Sequence, residues 1–128
     1  MHRRDFLHGA VMAGAVAAVA ALALPAAAHH GWAWATDEEF ELTGRITAVR
    51  LGNPHGELTL DAAGESWTVE IGQPWRNRRV DLTESVLAPG TEVTAHGHRA
   101  SDPSMRLMKA ERLMIGGKDY DLYPDRGS

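Results

Sequence analysis

Residues 40–50 read Phe-Glu-Leu-Thr-Gly-Arg-Ile-Thr-Ala-Val-Arg, and much of that run alternates apolar with polar side chains. A period of two belongs to a strand with one buried face. The period returns twice soon afterwards. Leu58 and Leu60 alternate with Glu57, Thr59 and Asp61, and Trp67, Val69 and Ile71 alternate with Ser66, Thr68 and Glu70. It returns again over residues 92–99, where Val93, Ala95 and Gly97 share a face. Between these runs lie turn-forming stretches, Gly52-Asn53-Pro54-His55-Gly56, Ala62-Ala63-Gly64-Glu65 and Pro89-Gly90. Such a chain is confined to short strands joined by tight connections.

Gly44 interrupts the first run and predicts a bulge or a sharp bend there. Residues 105–115 read as a fifth strand of undefined register, and Gly116-Gly117 turns the chain into a short hairpin partner over 118–123. The helical pattern in the rest of the chain falls at residues 81–87, with Asp81 as cap, Glu84 three residues on, and Leu82, Val86 and Leu87 facing inward. Three strands, a short helix and two more strands is the order of a small OB-fold-like five-stranded barrel, an all-β fold. A β-sandwich is the alternative.

The first 28 residues stand apart from this pattern. Arg3-Arg4-Asp5-Phe6-Leu7 resembles the twin-arginine export signal, and an apolar run from Gly9 to Leu24 follows it. That run is shorter than the roughly 20 residues of a spanning helix, so no stable membrane anchor is expected after cleavage. Ala26 and Ala28 satisfy the small-x-small cleavage rule, which favours a cut before His29. The expected organisation is a signal peptide at 1–28, a His/Trp arm at 29–38, the barrel at 39–123 and a polar tail at 124–128. The expected location is the periplasm.

Residues 29–128 carry 11 Lys and Arg against 16 Asp and Glu, a formal charge of −5. That balance argues against nucleic-acid binding, which rests on phosphate neutralisation. The exception is Arg76, Arg78 and Arg79, read as a solvated loop or an anion contact. With no cysteine anywhere, disulfides and thiolate metal sites are excluded.

Histidine is the chemical asset of the chain: five follow residue 28, namely His29, His30, His55, His96 and His98. No Gly-x-Ser-x-Gly, His-Glu-x-x-His or phosphate-loop pattern accompanies them, so a binding protein is expected rather than an enzyme. A cut before His29 would let its amine and imidazole chelate copper. A cut one residue earlier would place His30 third, where the amine, two amides and the ring form a square-planar set for Cu(II) or Ni(II). Both arrangements need a neutral amine and weaken as pH falls. His96 and His98 are two apart on one strand and share the side opposite Val93 and Ala95, either as surface residues or as ligands. His55 lies in a turn, hydrogen-bonding local backbone or carrying a ligand. Trp32, Trp34 and Trp75 leave open a carbohydrate- or peptide-binding module, and Trp67 reads as core. A copper-dependent oxidoreductase built on His29 is a further alternative.

Several segments together carry a family resemblance: Ala28-His29-His30, Leu42-Thr43-Gly44-Arg45-Ile46, Asn53-Pro54-His55, Trp67-Thr68-Val69-Glu70, Pro89-Gly90, Val93-Thr94-Ala95 and Gly97-His98-Arg99. The chain resembles a family of small exported bacterial proteins of uncharacterised function. The resemblance implies no activity. The reading of the residues is an exported binding or accessory protein for a metal ion, copper foremost, or another small ligand.

Overall fold

The computed structural model describes residues 31–126. The export motif Arg3, Arg4, Phe6 and Leu7, the cleavage residues Ala26 and Ala28, and His29 and His30 lie outside the described residues. The chain divides into two units, one ending at Trp34 and one starting at Ala35. The described part of the first is a turn over 31–34 that carries Trp32 and Trp34. Among the described residues no helix is long and apolar enough to cross a membrane.

The second unit is built from β1 (Phe40–Arg50), β2 (Glu57–Ala62), β3 (Glu65–Glu70), α1 (Pro74–Arg79), β4 (Glu92–Arg99), β5 (Leu107–Ile115), β6 (Lys118–Asp121) and a 3-10 turn, Pro124–Arg126. The first half of β1 pairs with β4 and its second half with β2, both antiparallel. β2 and β3 form a hairpin, and β4 pairs antiparallel with β5. A short parallel ladder, Thr68 with Leu107 through Glu70 with Lys109, then joins β3 to β5. The circuit β1-β2-β3-β5-β4 and back to β1 closes, giving the five-stranded OB-type barrel with one short helix that the element order predicts. β6 extends the sheet from the far half of β5, pairing at residues 112–115.

The strand alternation is realised as burial. Leu58, Leu60, Val69, Ile71, Val93 and Ala95 point into the barrel, with Met108, Ala110 and Leu113 from β5. Trp67 is core, as expected, and stacks on Phe40 with ring centroids 5.4 Å apart. The guanidinium of Arg99 lies over both rings.

Two local expectations are corrected. The bulge of β1 falls at Thr47, between the Ile46 and Ala48 pairings, not at Gly44. Gly44 serves a close approach instead: a Cβ there would lie 2.7 Å from the carbonyl oxygen of Asp61. The helix is at Pro74–Arg79, and residues 81–87 are irregular, with a turn over 84–87. Asp81 has φ of 59°, a left-handed backbone that does not cap a helix, although Leu82 and Leu87 are buried as foreseen. Arg76, Arg78 and Arg79 therefore lie on α1 rather than in a loop. Pro at the first turn opens the helix. The buried side chain of Asn77 secures it, accepting from the Gly72 N–H at 3.1 Å and donating to the Gly72 carbonyl at 2.9 Å.

Candidate metal centre

The outer face of β4 carries Thr94, His96 and His98, opposite the core residues Val93 and Ala95. The expectation that both imidazoles share this side holds, but their surroundings differ. His96 Nδ1 is 3.5 Å from Glu41 on β1, and that carboxylate is largely exposed. His98 is 5% exposed. The cover over it comes from both ends of the barrel sequence. Before β1, Ala35 bridges to Ala100 and the Thr36 N–H donates to the Arg99 carbonyl, so residues 37–39 loop across the end of β4. After β6, the Leu122 and Tyr123 N–H groups both donate to the Glu111 carbonyl, carrying the chain back over β5 to Arg126.

Glu111 itself is the extra residue of a bulge. His96 pairs with Arg112 and Gly97 with Ala110, which leaves Glu111 unmatched on β4. A Cβ on Gly97 would collide with the carbonyl of Lys109, so only glycine allows this approach of β4 to β5. The bulge turns the Glu111 side chain, 1% exposed, towards His98. Glu111 Oε2 is 3.3 Å from His98 Nε2, and Glu39 Oε1 is 3.9 Å from the same nitrogen. Among the described residues, Glu39, His98 and Glu111 are the group of three whose ligand atoms all lie within 4.8 Å of one another.

Second contacts orient this group. His98 Nδ1 is 2.8 Å from the Glu38 carbonyl, which can only accept, so Nδ1 carries a proton and donates it. Nε2 then faces two carboxylates in one of two states. It is protonated, making an imidazolium between them, or it presents its lone pair to a cation that both carboxylates also bind. A ring whose other N–H is tied to a backbone carbonyl is the usual arrangement of a metal-binding histidine. Arg126 Nε donates to Glu111 Oε2 at 2.6 Å, placing a guanidinium on the oxygen nearest the ring.

A second ion network adjoins the first. Strand pairing sets Glu70, Lys109 and His98 in one row across β3, β5 and β4. Glu70 Oε1 is 3.1 Å from Lys109 Nζ, a nearly buried ammonium, and 3.3 Å from His55 Nε2. His55 Nδ1 is buried without a hydrogen-bond partner. Arg76 is sandwiched between the rings of Trp75 and Tyr123, 4.4 and 4.2 Å from their centroids, and donates to the Leu122 carbonyl. Burial raises the Tyr123 phenol above its ordinary value of 10.0, and the Glu70 charge adds to this while Arg76 and Arg126 oppose it.

The histidines singled out from sequence are thus divided. His98 enters a ligand group, His96 pairs with Glu41, and His55 pairs with Glu70. Trp75 is exposed on α1, beside a groove of about 750 Å³ lined by Asn53, Pro54, Gln73, Pro74 and Arg78. Sequence reasoning missed Glu39 and Glu111, and also Lys109 and Arg126. For two of them a signal existed: Lys109 and Glu111 are charges at alternate positions inside the apolar run 107–115.

Solved structures similar to this one include the S. pombe Stn1-Ten1 complex, at 19% identity and a TM-score of 0.49, covering 60% of this chain and 57% of that one. Another is the ZRD-deleted mutant of TiaS in complex with agmatine, at 18% identity and a TM-score of 0.49, covering 66% of this chain and 26% of that one. The chain therefore spans less than two thirds of either. No curated protein matches it. The profile of a family of unknown function, DUF6152, matches residues 15–108, and the chain belongs to that family.

Proposed function

We propose that this is an exported accessory protein that binds a divalent first-row transition-metal ion through Glu39, His98 and Glu111. One observation carries the reading: a buried imidazole with Nδ1 fixed on the Glu38 carbonyl turns Nε2 towards two carboxylates inside a 4.8 Å group. Imidazole with carboxylates suits zinc, iron, nickel or copper, and the exposed Glu39 leaves the site open on one side. Export rests on the twin-arginine-like start, and periplasmic delivery follows from it. Copper chelation by a new terminus at His29 or His30 is a separate site with a different requirement, since it needs the free amine.

A chain with added residues directly ahead of His29 separates the two, because both terminal sites need a free amine there and the Glu39, His98 and Glu111 group does not. Titration with Zn(II) and with Cu(II) against a chromogenic chelator is expected to show one site. His98→Gln should weaken it by about 100-fold, the upper end of what even outer-shell changes cost. Far-ultraviolet circular dichroism checks that the variant is folded. Equal binding by the folded variant and the native chain would refute the assignment.

A further inference from the structure

The groove beside Trp75 shares no residue with the metal group. Asn53 and Pro54 reach it from the turn between β1 and β2, and Gln73, Pro74, Trp75 and Arg78 from α1 and the residue before it. Trp75 is 48% exposed, yet its ring is braced from one side. The Arg76 guanidinium lies over it at 4.4 Å and is itself fixed by the Tyr123 ring, the Leu122 carbonyl and Gln73 Oε1. The result is a firm aromatic platform that solvent reaches. Because Gln73 Oε1 accepts from Arg76 Nε at 2.8 Å, the NH2 group of the exposed Gln73 is left to donate outward.

Arg78 differs from its neighbours on α1. Arg76 and Arg79 are committed to the Leu122 carbonyl, whereas the exposed Arg78 side chain makes no hydrogen bond, ion pair or ring contact among the described residues. No carboxylate lines this groove. Asp81 and Glu84 border Arg78 in an adjoining cavity of about 540 Å³, but neither pairs with it.

We infer that the groove binds a saccharide bearing one carboxylate, a hexuronic acid or its glycoside. The weakly positive C–H face of a pyranose stacks on the electron-rich face of an aromatic ring, here Trp75. A sugar carboxylate matches the planar fork of Arg78. The side-chain amides of Gln73 and Asn53 complement ring hydroxyls, which a carboxylate without a sugar ring lacks. The groove volume of about 750 Å³ lies within the range of small-molecule sites. A formal charge of −4 over the chain disfavours a polyanion, whereas a single carboxylate answers to Arg78 locally.

The test is a titration of the full chain, labelled for heteronuclear NMR and stripped of metal on a chelating resin so that the metal group plays no part. Methyl glucuronide, methyl glucoside and acetate are added in turn while the Trp75 indole N–H signal, identified with Trp75→Phe, is followed. The glucuronide should move that signal saturably. The neutral glucoside should bind about ten-fold more weakly, the value of one charge-assisted hydrogen bond, and acetate should leave the signal in place. Arg78→Gln, a change at an exposed side chain, should bring the two sugars level. A Trp75 signal that neither sugar moves refutes the site. Equal binding of both sugars by the native chain, a preference that survives Arg78→Gln, or acetate binding as tightly as the glucuronide refutes the ligand class.

Discussion

His98 owes its burial to segments remote from it in sequence: the loop at 37–39, the bulge residue Glu111 and the turn bearing Arg126. Nothing in Glu92–Arg99 alone announces this. The strand period places His96 and His98 on one face and stops there, because what covers a face is decided by chain that returns from elsewhere. Tyr123 is the residue whose environment makes the most direct pH prediction. Burial raises its pKa, so the fold favours the neutral phenol. A raised folded-state pKa contributes stability that is fully present below about pH 10 and is lost as pH rises through the folded value. Denaturant midpoints measured from neutral to strongly alkaline pH should therefore fall more for the native chain than for Tyr123→Phe, which has no proton to lose. Parallel curves would show that the phenol is solvated.

At the scale of the element, the strands with clean alternation were legible to within a residue or two, and β5 was legible in extent but not in register. Its sequence Leu-Met-Lys-Ala-Glu-Arg-Leu-Met-Ile buries Lys109 and Glu111 on the outer side and Met108 and Ala110 on the inner side. A strand buried on both faces has no period to read, and the bulge at Glu111 shifts the register within it. The charges inside that apolar run were the available clue, since buried charges persist when they are paired. The helix was misplaced for a related reason. Trp75-Arg76-Asn77-Arg78-Arg79 has no apolar stripe, and its six-residue turn is held by tertiary contacts that propensity does not register. Asn77 is central among these, because its amide satisfies both the donor and the acceptor of Gly72. Asn77→Ala should cost about 2 kcal/mol in chemical denaturation, chiefly by leaving the Gly72 N–H unsatisfied in a buried place. A loss near zero would mean that water replaces the amide and that α1 is held by its arginines instead.

For the barrel as a whole, closure of β3 onto β5 settles the architecture, while the charge on its faces limits what it can hold. OB-type barrels that bind single strands combine a basic groove with aromatic platforms on which bases stack. Here the outward residues of β2 and β3 are Glu57, Thr59, Asp61, Ser66, Thr68 and Glu70, and the aromatic of that hairpin, Trp67, points inward. The positive side chains of α1 are partly committed, Arg76 and Arg79 to the Leu122 carbonyl and to the Trp75 ring. With a formal charge of −4 over the full chain, phosphate is repelled at long range as well. A dye-labelled oligothymidine of about 15 nucleotides, long enough for an OB barrel, should show unchanged fluorescence anisotropy when the protein is added. The measurement belongs at low ionic strength, where non-specific association is strongest. A rise that salt abolishes would overturn the expectation and point to Trp75, Arg78 and Arg79. The charge along the row from His55 through Glu70 and Lys109 to Glu111, His98 and Glu39 is mixed, with Lys109 paired to Glu70 and Arg126 to Glu111. The proposal of a metal on this barrel therefore rests on the local geometry of Glu39, His98 and Glu111 and not on an acidic face.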